Sequence, residues 1–196
     1  PDDPGAAGRG ALFQVVEGLG IVPREDVVTV LDLGRRDREW LAALGIRLGA
    51  RYVWAEPLQR PAARAQRALL WAVAAGRLPV PAPPADDLPS IAPDPALSTA
   101  FYLAVGFPVL GPLAVRVDVA EALAFRVRRA ARGEEAADPA AWAAMLGTGE
   151  DTLPAVLAAL ERLGRAPTRR GGGPPAPRGA RPPGRGRSGP SSSRRR

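Results

Sequence analysis

From Thr168 to the C-terminus the chain reads TRRGGGPPAPRGARPPGRGRSGPSSSRRR, with no aromatic and no aliphatic residue larger than Ala or Pro. Such a stretch cannot remove enough apolar surface from water to offset the entropy of ordering it, so residues 165–196 are expected to form a disordered tail. Any fold must therefore be built before residue 165. The 196 residues, 46% of them hydrophobic, suffice for one ordinary domain or two small ones. With 23 Pro and 22 Gly, part of that length has to be turns and extended connectors.

Charge divides at the same place. Arg165 to Arg196 hold ten arginines and no acid, while the remaining 17 arginines share the rest of the chain with all 20 acids. The body is faintly acidic, and the whole net charge of +7 resides in the tail. Every basic residue is Arg; the chain has no Lys, His or Cys. That removes the usual neutral-pH general base, imidazole and thiolate metal ligands, the thiolate nucleophile, the Schiff base and the lysine-bearing phosphate loop. A hydrolase built on carboxylates alone would need two acids converging in one pocket. Asp86-Asp87 and Glu134-Glu135 look instead like loop acids facing water. No catalytic residue, metal ligand or cofactor is expected.

No run approaches the ~18–20 apolar residues that span a bilayer, and no signal-type sequence opens the chain, so no membrane partner and a cytoplasmic location are expected. An opening Pro rather than Met suggests a processed chain or a piece of a longer one. The richness in Ala and the use of Arg for Lys also fit a GC-rich coding sequence.

The body reads as an α+β fold, mainly α-helical, with short helices and small β-hairpins. Residues 1–10 are expected to be a flexible N-terminus and 11–78 a helical subdomain with a short strand. Within it Leu12, Val15, Val16 and Leu19 lie at helical spacing, EDVVTVLDL is a strand or a helix start, and Arg35 to Leu44 form a helix with Trp40, Leu41 and Leu44 on one face. Arg51 to Ala55 are β-prone. The clearest helix is RPAARAQRALLWAVAAG, with Pro61 suited to its first turn and Gly76 to its end. Ala62, Ala65, Leu69 and Val73 form its apolar stripe, widened by Ala68, Trp71 and Ala72, placing Arg60, Arg64 and Arg67 toward the other side, as a solvated face or as a ridge contacting phosphate or a protein partner.

Residues 79–95 contain seven prolines and are expected to be an extended connector, or a strap anchored by Leu88 and Ile91. Residues 96–164 read as helix, hairpin with a Gly111-Pro112 turn, helix capped by Asp118, and an αα-hairpin. The last has a helix-turn-helix outline. Its second helix carries Leu and Ala where base reading needs Arg, Asn or Gln, which favours a packing role.

Three stretches carry a resemblance: Leu41 to Gly76, which ends in LLWAVAAG; FYLAVGFPVLGPLAVRVDVAEALA from Phe101; and WAAMLGTGEDTLPAVLAALERLG from Trp142. Together they resemble the region downstream of the motor in bacterial relatives of the mitochondrial Suv-type RNA helicases, ATP-dependent enzymes of superfamily two. The phosphate loop, the magnesium-binding acidic box and the arginine finger of that family have no counterpart here, so no catalytic residue carries over. The resemblance implies the accessory end of a helicase, with RNA ahead of single-stranded DNA as ligand and a helicase core in the same or another chain as partner.

The tail suits that role. Arg169, Arg170, Arg178, Arg181, Arg185, Arg187, Arg194, Arg195 and Arg196 are spaced by Gly, Pro and Ser. Guanidinium groups pair bidentately with phosphate and stack on exposed bases, and a flexible chain lets each find its site. Sequence-independent binding is expected. The alternatives are a protein-interaction module with a passive, solubilising tail, and the carboxylate-only enzyme.

Overall fold

Seven α-helices and two three-stranded antiparallel sheets make up the regular structure of the computed structural model, which describes residues 4–163. The fold is α+β and mainly helical, as the periodicities indicate.

Helix α1 (Ala6–Glu17) starts inside the segment expected to be flexible. Its start is held by Asp37 of α2 (Arg35–Ala43), whose carboxylate accepts the Gly5 N–H at 2.7 Å. Gly8 makes that approach possible, since a Cβ there would lie 2.7 Å from the Asp37 carboxylate. Between the two helices, EDVVTVLDL is neither strand nor helix. It is a 3₁₀ turn (Arg24–Asp26) followed by successive turns that drive Val27, Val30 and Leu33 into the core and leave Val28 and Leu31 in solvent. Strands β1 (Ile21–Pro23), β2 (Ile46–Leu48) and β3 (Tyr52–Ala55) form the first sheet in the order β1-β3-β2. The β-prone run at Arg51 to Ala55 is thus its centre, with Val53 opposite Val22 and Leu48, and Trp54 opposite Arg47. Buried Ala11, Val15, Leu41, Ile46 and Val53 join these elements, each large aliphatic contributing about 1.5–3 kcal/mol.

Helix α3 (Pro61–Ala74) runs as predicted, with Pro61 at its first position, but it is rotated: of the expected apolar residues Ala68, Ala72 and part of Trp71 face the core, together with two of the arginines expected on the other side. Arg64, Arg67, Ala68 and Ala72 are buried, whereas Leu69, Leu70 and Val73 are exposed. The stripe of Ala62, Ala65, Leu69 and Val73 points to solvent. What draws the other face inward is the aromatic cluster of Phe101, Tyr102 and Phe107 around Ala68, with Trp71 edge-on to Phe101 at 5.1 Å between centroids.

Residues 79–95 are a strap across the body. Asp86 meets Arg64, Ser90 donates to the Leu146 carbonyl at 2.6 Å, and β4 (Ser90–Ile91) pairs with Ala114 and Val115. The second sheet, β4-β6-β5, contains the hairpin β5 (Val109–Leu110) and β6 (Leu113–Val115), turned at Gly111-Pro112. Helix α4 (Thr99–Ala104) is capped by Ser98. Helix α5 (Val117–Ala131) begins one residue before Asp118, which therefore lies in the first turn and binds Arg116 instead of capping. Helices α6 (Pro139–Leu146), capped by Asp138, and α7 (Leu153–Arg162) form the αα-hairpin. Trp142, Leu146, Leu153, Val156 and Leu160 bury it against Leu110, Leu123 and Ala124, so the described part of this hairpin is spent on packing.

Candidate functional site

The strands, the start of α3 and the strap converge on a cavity of about 620 Å³, lined by Arg47, Trp54, Glu56, Gln59, Arg60, Arg64, Asp86, Arg116 and Asp118, with Pro57 and Pro61. Its geometry follows from register. Antiparallel pairing sets Arg47 directly opposite Trp54, so the two side chains leave one face of the sheet side by side. A 3₁₀ turn (Glu56–Gln59) then carries the chain to Arg60 and Pro61 at the start of α3. Arg116, just before α5, comes from the far side and also donates to the Asp86 carbonyl at 2.9 Å.

Three carboxylates position three of the arginines. Glu56 accepts from Arg47 at 2.7 Å, and Asp118 accepts two bonds from Arg116, at 2.7 and 3.0 Å. Asp86 accepts from Arg64. The hydrogen bond to Asp118 is the main reason that the Arg116 guanidinium is held more firmly protonated than usual. Burial works the other way at Arg64, pulling its pKa down against the attraction of Asp86. Arg64 is only 3% exposed and stacks over the Phe107 ring, 5.0 Å from its centre. Its Nε has no hydrogen-bond partner among the described residues, nor has the Gln59 Oε1. Arg60 is exposed and its side chain makes no hydrogen bond or ion pair there. The α3 start has no acidic residue in its first turn and no side-chain cap; Pro61 has no N–H and the Arg64 N–H is bonded to the Arg60 carbonyl, so the Ala62 and Ala63 amides are the ones open to an acceptor.

The three arginines singled out in sequence are therefore separated by depth. Arg60 stands at the cavity rim and Arg64 is buried in its wall. Arg67, one turn on, is 3% exposed and lines a second, apolar groove of about 340 Å³ between α1 and α3, with Leu12, Val16, Leu58 and Leu70. The Arg67 Nη1 donates to the Leu58 carbonyl at 2.6 Å. Burial, reinforced by the neighbouring Arg64 charge, pushes its pKa down to about 10.

Sequence reasoning missed Arg47, Trp54, Gln59 and Arg116 as cavity residues. The one signal the sequence offered there was the β-prone run at residues 51–55, which contains Trp54. The tail positions Arg169, Arg170, Arg178, Arg181, Arg185, Arg187, Arg194, Arg195 and Arg196 lie outside the described residues. Among the described residues there is no group of three or more His, Cys, Asp or Glu side chains arranged to hold a metal ion, and no helix long and apolar enough to cross a membrane. Neither protein-family models, nor curated proteins, nor solved structures provide a match to the chain.

Proposed function

We propose that this chain is a non-catalytic, cytoplasmic accessory module that holds single-stranded nucleic acid, RNA ahead of DNA, through its arginine-rich C-terminal segment. The observation that carries this reading is the segregation of charge. Ten arginines without a single acid follow residue 164, behind a body in which acids outnumber arginines. Without Lys, His or Cys, that segment can act on a ligand chiefly by pairing guanidinium groups with anions. We extend the reading to an accessory role beside an ATP-driven motor of the Suv type, on the strength of the sequence resemblance alone.

The test is RNA binding by the full chain against the full chain with all ten arginines from Arg165 onward changed to Gln. If about six phosphates are contacted, the wild-type log affinity falls with log salt at a slope near ~4, and the substituted chain loses most of that dependence. Equal affinity and equal slope for both proteins would remove the function from this segment.

One observation favours a second reading, a protein-docking module. The outward face of α3 carries Leu69, Leu70 and Val73, exposed by 50, 55 and 71%. Contiguous exposed apolar side chains of this kind mark contact surfaces, and a helicase motor is the partner that the resemblance suggests. Changing Leu70 and Val73 to Asp should abolish co-elution of the full chain with a purified Suv-type motor. Undiminished co-elution would eliminate this reading.

A further inference from the structure

We propose that the cavity at the start of α3 binds one nucleotide unit of a single RNA strand, its phosphate at Arg60 and the first amides of α3, its base against Trp54. This deepens the RNA-binding reading, on which the choice of ligand rests, but it places a contact in the folded body rather than in the C-terminal segment.

Three independent features point to such a ligand. The first is size: about 620 Å³ lies within the ~300–1,000 Å³ of ordinary small-molecule sites. The second is the inventory of donors. Glu56, Asp86 and Asp118 each engage one arginine, and so fix Arg47, Arg64 and Arg116 in place before any ligand arrives. Unused donors remain after those bonds: the whole Arg60 guanidinium and the Ala62 and Ala63 amides in the uncapped first turn of α3. A helix N-terminus flanked by a free guanidinium is a favourable place for a phosphate. The third is Trp54, half-buried in the cavity wall and directly opposite Arg47 on the sheet. An indole beside a guanidinium offers a base a surface on which to stack.

The carboxylates decide which anion fits. Glu56, Asp86 and Asp118 would repel a bare phosphate or sulfate, and they leave only one excess positive charge among the cavity side chains. Carboxylates do accept hydrogen bonds from ribose hydroxyls and base amino groups. A ligand that carries a phosphate, hydroxyl donors and an aromatic face in one unit satisfies all of them. The 2′-hydroxyl gives RNA one more such donor than DNA.

The experiment uses the full chain with its ten arginines from Arg165 onward changed to Gln, so that the cavity is read without the tail. Its Trp indole N–H resonances are followed during titration with AMP and with a 5′-phosphorylated tetra-adenylate, the Trp54 signal being assigned with Trp54→Phe. The expected result is a saturable shift of the Trp54 signal, with the tetranucleotide binding more tightly than AMP. Arg60→Gln, at an exposed position, should weaken the tetranucleotide about tenfold without altering the thermal melt. Arg47→Gln should weaken it less. A Trp54 signal unmoved at millimolar tetranucleotide, or Arg60→Gln binding unchanged, overturns the proposal. AMP binding as tightly as the tetranucleotide overturns the assignment to a strand. The two readings fail separately: a silent cavity leaves the tail's salt-dependent binding intact, and an unimportant tail leaves the Trp54 titration intact.

Discussion

Glu121 and Arg67 are charged side chains buried to nearly the same depth, 8 and 3% exposed, in two regions that treat them in opposite ways. Glu121, on the second turn of α5, accepts three backbone N–H bonds from the end of the β2–β3 loop and the first residue of β3: Ala50 at 2.5 Å, Arg51 at 2.7 Å and Tyr52 at 2.6 Å. Arg67, on the second turn of α3, makes one bond to a carbonyl, while its Nε and Nη2 have no partner among the described residues and the charge acting on it is that of Arg64, of the same sign. One buried charge is used to join two parts of the fold. The other is carried at a cost. The lesson is that depth alone says little about whether a buried charge stabilises; the count of satisfied donors and acceptors does.

The largest effect expected from this contrast is at Glu121. Glu121→Ala leaves three amides without an acceptor and uncouples the first sheet from α5, which should cost about 3–5 kcal/mol, read as a lower urea midpoint. Glu121→Gln keeps an oxygen and should cost about half as much. The site is tight enough to discriminate, since a Cβ on Gly49 would lie 2.4 Å from the Glu121 carboxyl carbon. A loss under about 1 kcal/mol for Glu121→Ala would show that the three bonds exchange freely with water, and the contrast with Arg67 would dissolve.

None of this was readable in the sequence, and the reasons differ by element. Helices α2, α3, α5, α6 and α7 announce themselves because periodic apolar residues and Pro or Gly punctuation are local signals. The face of α3 was misread because its alanines make both sides look apolar; the decision fell to Phe101 and Phe107, more than thirty residues away, and to Asp86 in the strap. Strands β1, β2 and β4 are two or three residues long, too short for alternation to register. Glu121 looked like any polar residue on an amphipathic helix. Of the cavity, only Arg60 and Arg64 were read as contact residues, with Asp86 taken for a loop acid and Asp118 for a helix cap, because Arg47, Trp54 and Arg116 are assembled by strand register and by a chain crossing that no spacing rule encodes.

A middle-sized effect sharpens the comparison at Arg64, whose side chain is 4% exposed while that of its partner Asp86 is 44% exposed. The pair is asymmetric, so the order of the two deletions is predictable. Asp86→Ala strands a buried cation and should cost about 2 kcal/mol. Arg64→Met leaves Asp86 free to hydrate and keeps an apolar stem against Phe107, so it should cost about 1 kcal/mol, mostly the lost stacking of the guanidinium on the ring. Chemical denaturation of both variants measures the order. The reverse order would mean that the carboxylate, rather than the guanidinium, bears the burden of burial.

The smallest effect belongs to Arg67. Arg67→Met removes a desolvated cation but also the donor to the Leu58 carbonyl, two terms of similar size and opposite sign, so stability at neutral pH should change by less than about 1 kcal/mol. The pH dependence separates them. With its pKa pushed down from the ordinary guanidinium value to about 10, folded Arg67 gives up its proton before the unfolded chain does. Between those two values the unfolded state binds more protons, and wild-type stability must rise with pH relative to Arg67→Met. Below pH 10 the penalty is fully present and the difference between the two proteins is flat. Taking that difference cancels the opposing contribution of Tyr52, whose hydroxyl is pushed up by burial and by the nearby Glu121 charge in both proteins. Urea midpoints of the pair at pH 8 and pH 11 suffice. A difference that does not move toward the wild type at the higher pH would mean that Arg67 is as well solvated as a surface arginine.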